Sequence, residues 1–301
     1  MSYRSMPDHV PDIEASLQAS SAGAWSARLE LRFARRDTAT QAVHRSHRGP
    51  LRVQRMLYPE GPGCCHALLL HPPGGIAGGD KLEIDVQMER GAHALLTTPG
   101  AAKWYRAGHA APAQQSLHLT IADDACLEWL PQESILFDGA QVVQQCEINL
   151  APRAAMFGWD IVQLGRLAAG ERWKHGFWQQ RLALLRDDHP VWLEQAHLAA
   201  DDPLRDSLLR LAGHNVFATA WACSPRLSAN HVEALAAARA TATRFDLPCG
   251  ITWLAAPAEL LVIRALGASG HTVRELFEAL WHTLRPWTAA MPSQRPRIWS
   301  T

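Results

Sequence analysis

The chain has 301 residues, of which 48% are hydrophobic and 19% charged, so it can bury a sizeable core and lacks the composition of a disordered protein. Lysine plus arginine and aspartate plus glutamate each total 29, which gives a formal net charge of zero. Because the chain has no excess positive charge to attract phosphate backbones or anionic lipids, neither nucleic acid nor a membrane surface is expected as a partner.

The N-terminal segment, residues 1–24, is predicted to be flexible. Its charges are scattered and no continuous apolar stretch follows them, so it lacks the pattern of a signal peptide. The six cysteines show no CxxC spacing, and a chain of this length needs no disulfide framework. We therefore expect a cytoplasmic protein in which order begins at Trp25.

Alternation of apolar and polar residues from residue 25 onwards predicts half-buried strands. Residues 82–88 and 117–121 show this alternation, and the short apolar runs between such segments are separated by glycine, proline and aspartate. These patterns predict one mainly β domain over residues 25–301. Since no fixed-period repeat is visible, the pattern alone leaves open both an open sandwich and an irregular β-solenoid.

The last third of the chain changes to helical spacing. Apolar residues spaced i, i+3, i+4 predict a helix near 272–285, which a capping box of Thr272 and Glu275 would begin and Pro286 would end. An alanine-rich segment predicts another helix near 231–244. A few C-terminal helices are therefore expected to follow the β-rich part.

The most unusual segment, residues 71–80, reads HPPGGIAGGD. Its two prolines fix the backbone, and its four glycines allow positive φ or the close approach of another segment. A phosphate-binding loop is excluded because Asp80 follows Gly79 where that motif needs lysine. The segment is expected to pack tightly against a neighbouring strand or to present Asp80 at a surface, and the packing interpretation is favoured.

Residue types typical of metal and catalytic centres are present without a recognised spacing. The run Cys64-Cys65-His66 has no paired CxxC motif, and adjacent cysteines in a strand point to opposite faces. The 15 histidines are scattered and form no cluster along the sequence. A GxSxG-like run at Ser269 lacks the final glycine and precedes a predicted helix. Neither a structural metal site nor a catalytic residue is predicted.

Several longer sequence blocks occur together in a fixed order. The segment HPPGGIAGGD is followed by LLTT, AK and YR, and then by LEWLPQE, FDGA, GWD, LGR and GE. Residues 277–286 and the PRIW segment at 296–299 complete the series. Over residues 25–299 the chain resembles the UreD/UreH family of urease accessory proteins, with a departure at Pro99 and Gly100.

The resemblance implies an irregular right-handed β-helix with a small helical part, and a urease maturation factor rather than an enzyme. It implies a complex with UreF and the GTPase UreG that docks on the urease apoprotein and enables nickel insertion, with UreE as a nickel donor. No permanent cofactor is expected, and Ni²⁺ would be in transit. Two alternatives stay open, namely a purely structural interaction module without a nickel path and a hydrolase that uses carboxylates in a groove.

Four acidic residues in or near the matching blocks are candidates for a transient nickel route: Asp80, Asp160, Glu171 and Glu194. Isolated carboxylates attract Ni²⁺ without closing its coordination sphere, whereas clustered thiolates or imidazoles would retain the ion. The alternative for each residue is a structural role, in which it caps a turn or pairs with an arginine such as Arg166.

Large apolar residues near the end of the chain are candidates for partner binding, namely Trp287, Ile298 and Trp299. Most of the apolar stripe of the 272–285 helix is expected to belong to the core. Trp299 is expected either to anchor the chain against UreF or to pack against an edge of the fold.

Overall fold

A computed structural model describes residues 24–300, so the segment predicted to be flexible lies, apart from Ala24, outside the described residues. The strands are β1 (Ser26–Arg36), β2 (Ala39–Arg48), β3 (Arg52–Val53), β4 (Cys65–Leu70), β5 (Lys81–Met88), β6 (His93–Thr97), β7 (Ala102–Trp104), β8 (Ala113–Ile121), β9 (Cys126–Leu130), β10 (Ser134–Leu136), β11 (Gln141–Leu150), β12 (Ala155–Leu164), β13 (Phe177–Arg186), β14 (His189–Ala199), β15 (Val216–Cys223), β16 (Cys249–Leu254) and β17 (Leu260–Gly267). The helices are α1 (Pro225–Ala229), α2 (His231–Ala242) and α3 (Gly270–Thr288), with short 3₁₀ segments at Leu167–Ala169 and Arg297–Ser300. The predicted mainly β fold is confirmed.

Successive strands of the central part alternate between two sheets, which makes the fold a β-solenoid of about four turns. In the first sheet, β1, β5, β8, β11 and β13 run parallel, and β2 and β14 add antiparallel edges. In the second sheet, β4, β6, β9 and β12 run parallel, and β15, β17 and β16 continue it in antiparallel order. The β-helix implied by the family resemblance is therefore confirmed, and the open sandwich is excluded.

Apolar side chains between the two sheets form the main core. Strand β5 buries every second residue, as its alternating sequence predicts. Strand β9 is buried on both faces, because one face meets the first sheet and the other meets α3. Burial on both faces explains why short strands of the second sheet are almost continuously apolar.

Helix α3 covers the outer face of the second sheet. Phe277, Trp281 and Leu284 are fully buried on its inner side, where they form a second core with β12, β15 and β17. Helix α2 packs beside α3. Within residues 24–300, no helix combines the length and hydropathy needed to cross a bilayer.

The two ends of α3 differ from the sequence prediction. The helix begins at Gly270 with Ser269 as N-cap, so the capping box predicted with Thr272 as N-cap, three residues later, is wrong. A side chain of β12 binds its first turn, because the Gly270 N–H donates to Gln163 Oε1 at 3.0 Å. The helix also continues through Pro286 to Thr288, since a proline in the last turn removes a single helical hydrogen bond.

Candidate functional site

A cavity of about 890 Å³ lies between the last strands of the two sheets. Most of its wall is apolar, and its charged and polar side chains are Asp160, Gln180, Glu194, Gln195, His197, Arg210, Thr219 and Arg264. Two of the four acidic residues predicted from sequence, Asp160 on β12 and Glu194 on β14, are therefore brought together in one cavity.

Asp160 is half-buried in the wall of this cavity. Gln180 Nε2 donates to Asp160 Oδ2 at 2.5 Å. Burial raises the pKa of the Asp160 carboxyl, the bond from Gln180 partly opposes the rise, and the negative charge of Glu194 adds to it. A carboxylate in this position lacks a cationic partner among its hydrogen-bonding neighbours and is electrostatically suited to receive one.

Glu194 lies closer to solvent and is paired with an arginine. Arg264 Nη2 donates to Glu194 Oε2 at 2.8 Å, and the side chain of Arg264 is 61% exposed. An exposed ion pair of this kind contributes little net stability and exchanges partners readily. A cation that enters the cavity can therefore compete with Arg264 for the Glu194 carboxylate.

A second, narrower cavity of about 120 Å³ lies inside the solenoid, and Asp160 and Gln180 line both cavities. Gln115, Gln144 and Gln180 are register neighbours on β8, β11 and β13 and form a ladder of amides in its wall. Gln144 Nε2 donates to Gln115 Oε1 at 3.1 Å, and Trp178 Nε1 donates to Gln144 Oε1 at 2.7 Å. The interior polar surface thus begins at Asp160 and continues along the strands of the first sheet.

His71, the first residue of the glycine-rich segment, lines the interior cavity. Its Nε2 is buried and has no hydrogen-bond partner among the described residues. Burial lowers the pKa of the imidazole, while the charge of Asp80 opposes this shift. The ring is therefore neutral near pH 7, and a neutral imidazole has a nitrogen lone pair that can bind a cation. No sequence pattern predicts this role for His71.

Asp80 is buried, with 2% of its surface exposed, and lines neither cavity. Its Oδ1 accepts a hydrogen bond from the Trp25 N–H and its Oδ2 accepts one from the Ala77 N–H, both at 2.8 Å. A Cβ atom at Gly75 would lie 2.1 Å from the Tyr105 ring. The packing interpretation of the glycine-rich segment is therefore confirmed, and Asp80 ties this loop to the start of β1.

Replacing Asp80 with alanine is expected to lower the free energy of unfolding by about 2–4 kcal/mol, because two N–H groups lose a charged acceptor. Urea unfolding followed by far-UV circular dichroism measures the change. Asp85→Ala is the matched control, since Asp85 is only partly buried and has one long contact, to Gln87 at 3.5 Å. Equal midpoints for the two variants would show that Asp80 does not hold the loop.

Glu171 also lies outside both cavities. Its Oε2 accepts a hydrogen bond from Arg166 Nε at 3.1 Å, and its Oε1 accepts one from the Asp138 N–H at 3.1 Å. The bonds from Arg166 lower the pKa of the Glu171 carboxyl. Arg166 in turn lies 4.5 Å from the centre of the Phe137 ring. Glu171 thus has the geometry of the structural alternative given above, in which the acidic residue pairs with Arg166.

The C-terminal tail packs onto the second core. Trp299 is buried, its Nε1 donates to Thr97 Oγ1 at 2.8 Å, and its ring centre lies 5.8 Å from that of Trp159. For Trp299 to anchor a partner, the tail would have to detach from the sheet. Trp287 and Ile298 are half-buried against the same core, and their role in partner binding stays a prediction.

A buried charged cluster lies between the second sheet and α3. It comprises Glu60, Cys64, His66, His93, Glu128 and Arg285. Arg285 donates to both oxygens of Glu128 at 2.9 Å and also binds both oxygens of Glu60. His66 Nε2 lies 2.7 Å from Glu60 Oε1, and His93 Nε2 lies 2.7 Å from Glu128 Oε1. The histidines scattered along the sequence therefore include two that the fold gathers into one cluster.

The charged forms in this cluster stabilise one another. Burial alone would raise the pKa of Glu128, but His93 and Arg285 lower it to about 2. Burial would lower the pKa of His66, but hydrogen bonds to Cys64 and to a glutamate raise it to about 9. Hydrogen bonds from the two histidines also lower the pKa of the Cys64 thiol against the effect of burial. The sequence contains one indication of this cluster, because Glu128 is the single charged residue in an otherwise apolar, buried strand.

Comparison with known proteins connects this architecture to one family. A family model described as UreD urease accessory protein matches residues 26–300. The chain is 43% identical over 292 residues to the urease accessory protein UreD of Methylobacillus flagellatus, covering 97% of this chain and 100% of the relative. It is 42% identical over 292 residues to that of Cupriavidus necator (97% and 99% covered) and 45% identical over 282 residues to that of Pseudomonas aeruginosa (92% and 96% covered).

Proposed function

The chain belongs to the UreD family of urease accessory proteins, and from this premise we propose that it serves urease maturation as the scaffold through which nickel reaches the urease apoprotein. UreF and the GTPase UreG are its proposed partners in the docked complex, and UreE is the proposed nickel donor. The proposed compartment is the cytoplasm, where the six cysteines, all free in the described residues, would stay reduced.

The position of Asp160 carries this proposal. Its carboxylate lines both the outer cavity and the solenoid interior, and Glu194 lies in the same outer cavity. A Ni²⁺ ion entering the cavity would meet Glu194 first, in competition with Arg264, and then Asp160. Two separate carboxylates hold a divalent cation weakly, which suits an ion that must leave again.

The interior provides neutral donors beyond Asp160. The amide oxygens of Gln115 and Gln144 and the unpartnered Nε2 of His71 lie in the wall of the inner cavity or next to it. Neutral oxygen and nitrogen donors replace water ligands without adding charge that would trap the ion. For Asp80 and Glu171 we propose that they hold the loops beside this passage, and for Trp287 and Ile298 that they contact a partner.

A hydrolase is the second candidate, because a buried carboxylate of raised pKa in a cavity is typical of general acid–base catalysis. The cavity wall also contains Cys249. Burial raises the pKa of the Cys249 thiol to about 11, so the thiol is a poor nucleophile near pH 7. The accessory role is favoured because it accounts for the carboxylates of both Asp160 and Glu194 and does not require a nucleophile.

The decisive experiment measures urease activity in nickel-fed cells that express the matching urease subunits with UreE, UreF and UreG. Activity is expected when this chain is present, and little or no activity is expected without it, because the apoprotein would then lack its scaffold for nickel delivery. Equal activity without the chain would overturn the maturation role. A structural module without a nickel path instead predicts full activity from a Glu194→Gln variant that still binds its partners.

A further inference from the structure

Two thiols and an imidazole lie side by side on three neighbouring strands of the second sheet. Cys64 immediately precedes β4, His93 begins β6 and Cys126 begins β9, and the strand register aligns all three. Because neighbouring strands lie about 4.8 Å apart and alternate residues face opposite sides, these side chains project from the same face. Glu128 lies two residues after Cys126 and therefore shares this face, which α3 covers.

The donor atoms of Cys64, His93 and Glu128 all lie within 4.8 Å of one another. Cys126 is the register neighbour of His93 on β9 and offers its thiol as a fourth donor. In a tetrahedral zinc site, with Zn–S near ~2.3 Å and Zn–N or Zn–O near ~2.0 Å, donor atoms are roughly 3.3–3.8 Å apart. Side-chain rotations would therefore complete such a site if the His93–Glu128 pair, now 2.7 Å apart, opened by about 0.6 Å and the more distant donors moved inward by up to about 1 Å.

We propose that Cys64, His93 and Glu128, with Cys126 as the fourth donor, bind a thiophilic divalent cation, for which Zn²⁺ is the favoured ion. Thiolate and imidazole donors select zinc over Mg²⁺ and Ca²⁺, which require oxygen ligands. The related set of Glu60, Cys64 and His66 shares the Cys64 thiol. The set around His93 is favoured because it includes the second thiol.

The surroundings of the four donors match the outer shell of a metal site. Glu128 Oε2 accepts hydrogen bonds from Trp281 Nε1 at 2.5 Å and Arg285 Nε at 2.9 Å. Glu128 Oε1 accepts one from Arg285 Nη2 at 2.9 Å and would exchange its contact with His93 for a bond to the ion. Arg285 Nη2 lies 4.0 Å from Cys64 Sγ and would stabilise the thiolate. Outer-shell bonds of this kind orient the ligands and raise metal affinity.

This site is separate from the nickel passage in position and in chemistry. None of its four donors lines either cavity. Thiolate ligands would retain a cation, so the bound ion would join the sheet to α3 and would not be cargo. The side chain of His93 is 12% exposed, which gives the ion access from solvent.

The test compares the full-length chain with Cys64→Ala and Cys65→Ala variants, each equilibrated with Zn²⁺ and washed before metal analysis. Cys65 is the matched control, because it is equally buried but belongs to the core between the sheets. We expect about one zinc per chain in the wild type and in Cys65→Ala, and a loss of affinity of about tenfold or more in Cys64→Ala. Co²⁺ should give a near-ultraviolet thiolate charge-transfer band that is weaker in Cys64→Ala, which keeps only the Cys126 thiol.

Wild-type chain that retains no zinc, or equal retention by the two cysteine variants, would overturn the proposal. Near-ultraviolet circular dichroism verifies folding, and Cys64→Ser provides a second variant of nearly unchanged volume if alanine disturbs the core. An Asp160→Asn variant separates this site from the nickel passage. This variant is expected to retain its zinc. Loss of the zinc would show that the ion binds in the cavity of Asp160 and would contradict its assignment to Cys64, His93, Glu128 and Cys126.

Discussion

Replacing Asp160 with asparagine is expected to reduce nickel-dependent activation of urease by about tenfold or more while the chain stays folded. Asparagine keeps the shape of the side chain and an oxygen that accepts the hydrogen bond from Gln180. It loses the negative charge at the point where the outer cavity meets the solenoid interior. Because an interior charge interacts strongly with a divalent cation, this loss should outweigh the retained hydrogen bond.

Urease activity in nickel-fed cells, at matched levels of this chain, measures the effect. Asp85→Asn is the control, since Asp85 carries the same charge but lies on β5 outside both cavities. Near-normal activation is expected from the control. Full activation by a folded Asp160→Asn variant would remove Asp160 from the route and favour a structural module.

The same substitution is expected to stabilise the chain at neutral pH by about 1 kcal/mol, the usual scale for removing a destabilising functional group. Burial raises the pKa of Asp160 in the folded state, so its contribution to stability is present at low pH and is lost as pH rises through the folded pKa. The advantage of the variant should therefore be absent near about pH 3 and should appear above about pH 4, where the unfolded carboxyl ionises. Thermal unfolding as a function of pH measures the difference.

Replacing Arg285 with methionine is expected to destabilise the chain by about 3–5 kcal/mol, the largest stability change we predict. The side chain of Arg285 is fully buried and binds Glu60, Glu128 and the carbonyl oxygen of Pro292. Methionine keeps much of the volume but leaves two buried carboxylates without their main cationic partner. At roughly 2–3 °C per kcal/mol for a chain of this size, the melting temperature should fall by about 6–15 °C.

Two further variants separate lost charge from lost packing. Adding Glu60→Gln and Glu128→Gln to Arg285→Met is expected to recover part of the stability, because the uncompensated charges are removed. Arg264→Met, which breaks the exposed pair with Glu194, should cost less than about 1 kcal/mol. Melting curves recorded with a chelator exclude any contribution from bound metal, and similar losses for the two arginine variants would contradict the role of the cluster.

Local patterns were sufficient to predict the elements but not their assembly. The alternation in β5 and the apolar stripe of α3 are visible in the sequence because they depend on neighbours within one element. A sandwich and a solenoid have the same period-two alternation, so the β-helix was expected only from the family resemblance, and its four turns are seen only in the structure. The start of α3 was predicted too late because a side chain of β12 holds its first turn.

For the candidate site too, local patterns identified single residues but not their arrangement in the fold. Asp160 and Glu194 were selected separately by their sequence blocks, and their meeting in one cavity depends on how the last strands of the two sheets are placed. His71 gave no signal because its unpartnered nitrogen is a property of the folded environment. The charged cluster joins Cys64 to Arg285 across 221 residues, a separation that no local pattern reports.

The ion pairs of Arg285 with Glu60 and Glu128 can form only late in synthesis of the chain. Glu60 and Glu128 leave the ribosome long before Arg285, which is 225 residues later than Glu60 and 157 later than Glu128. A nascent solenoid therefore carries two carboxylates and an apolar outer sheet face that α3 has not yet covered. Parallel strands already form slowly, since their contacts are distant in sequence. We therefore expect the nascent chain to depend on chaperone protection until α3 is made.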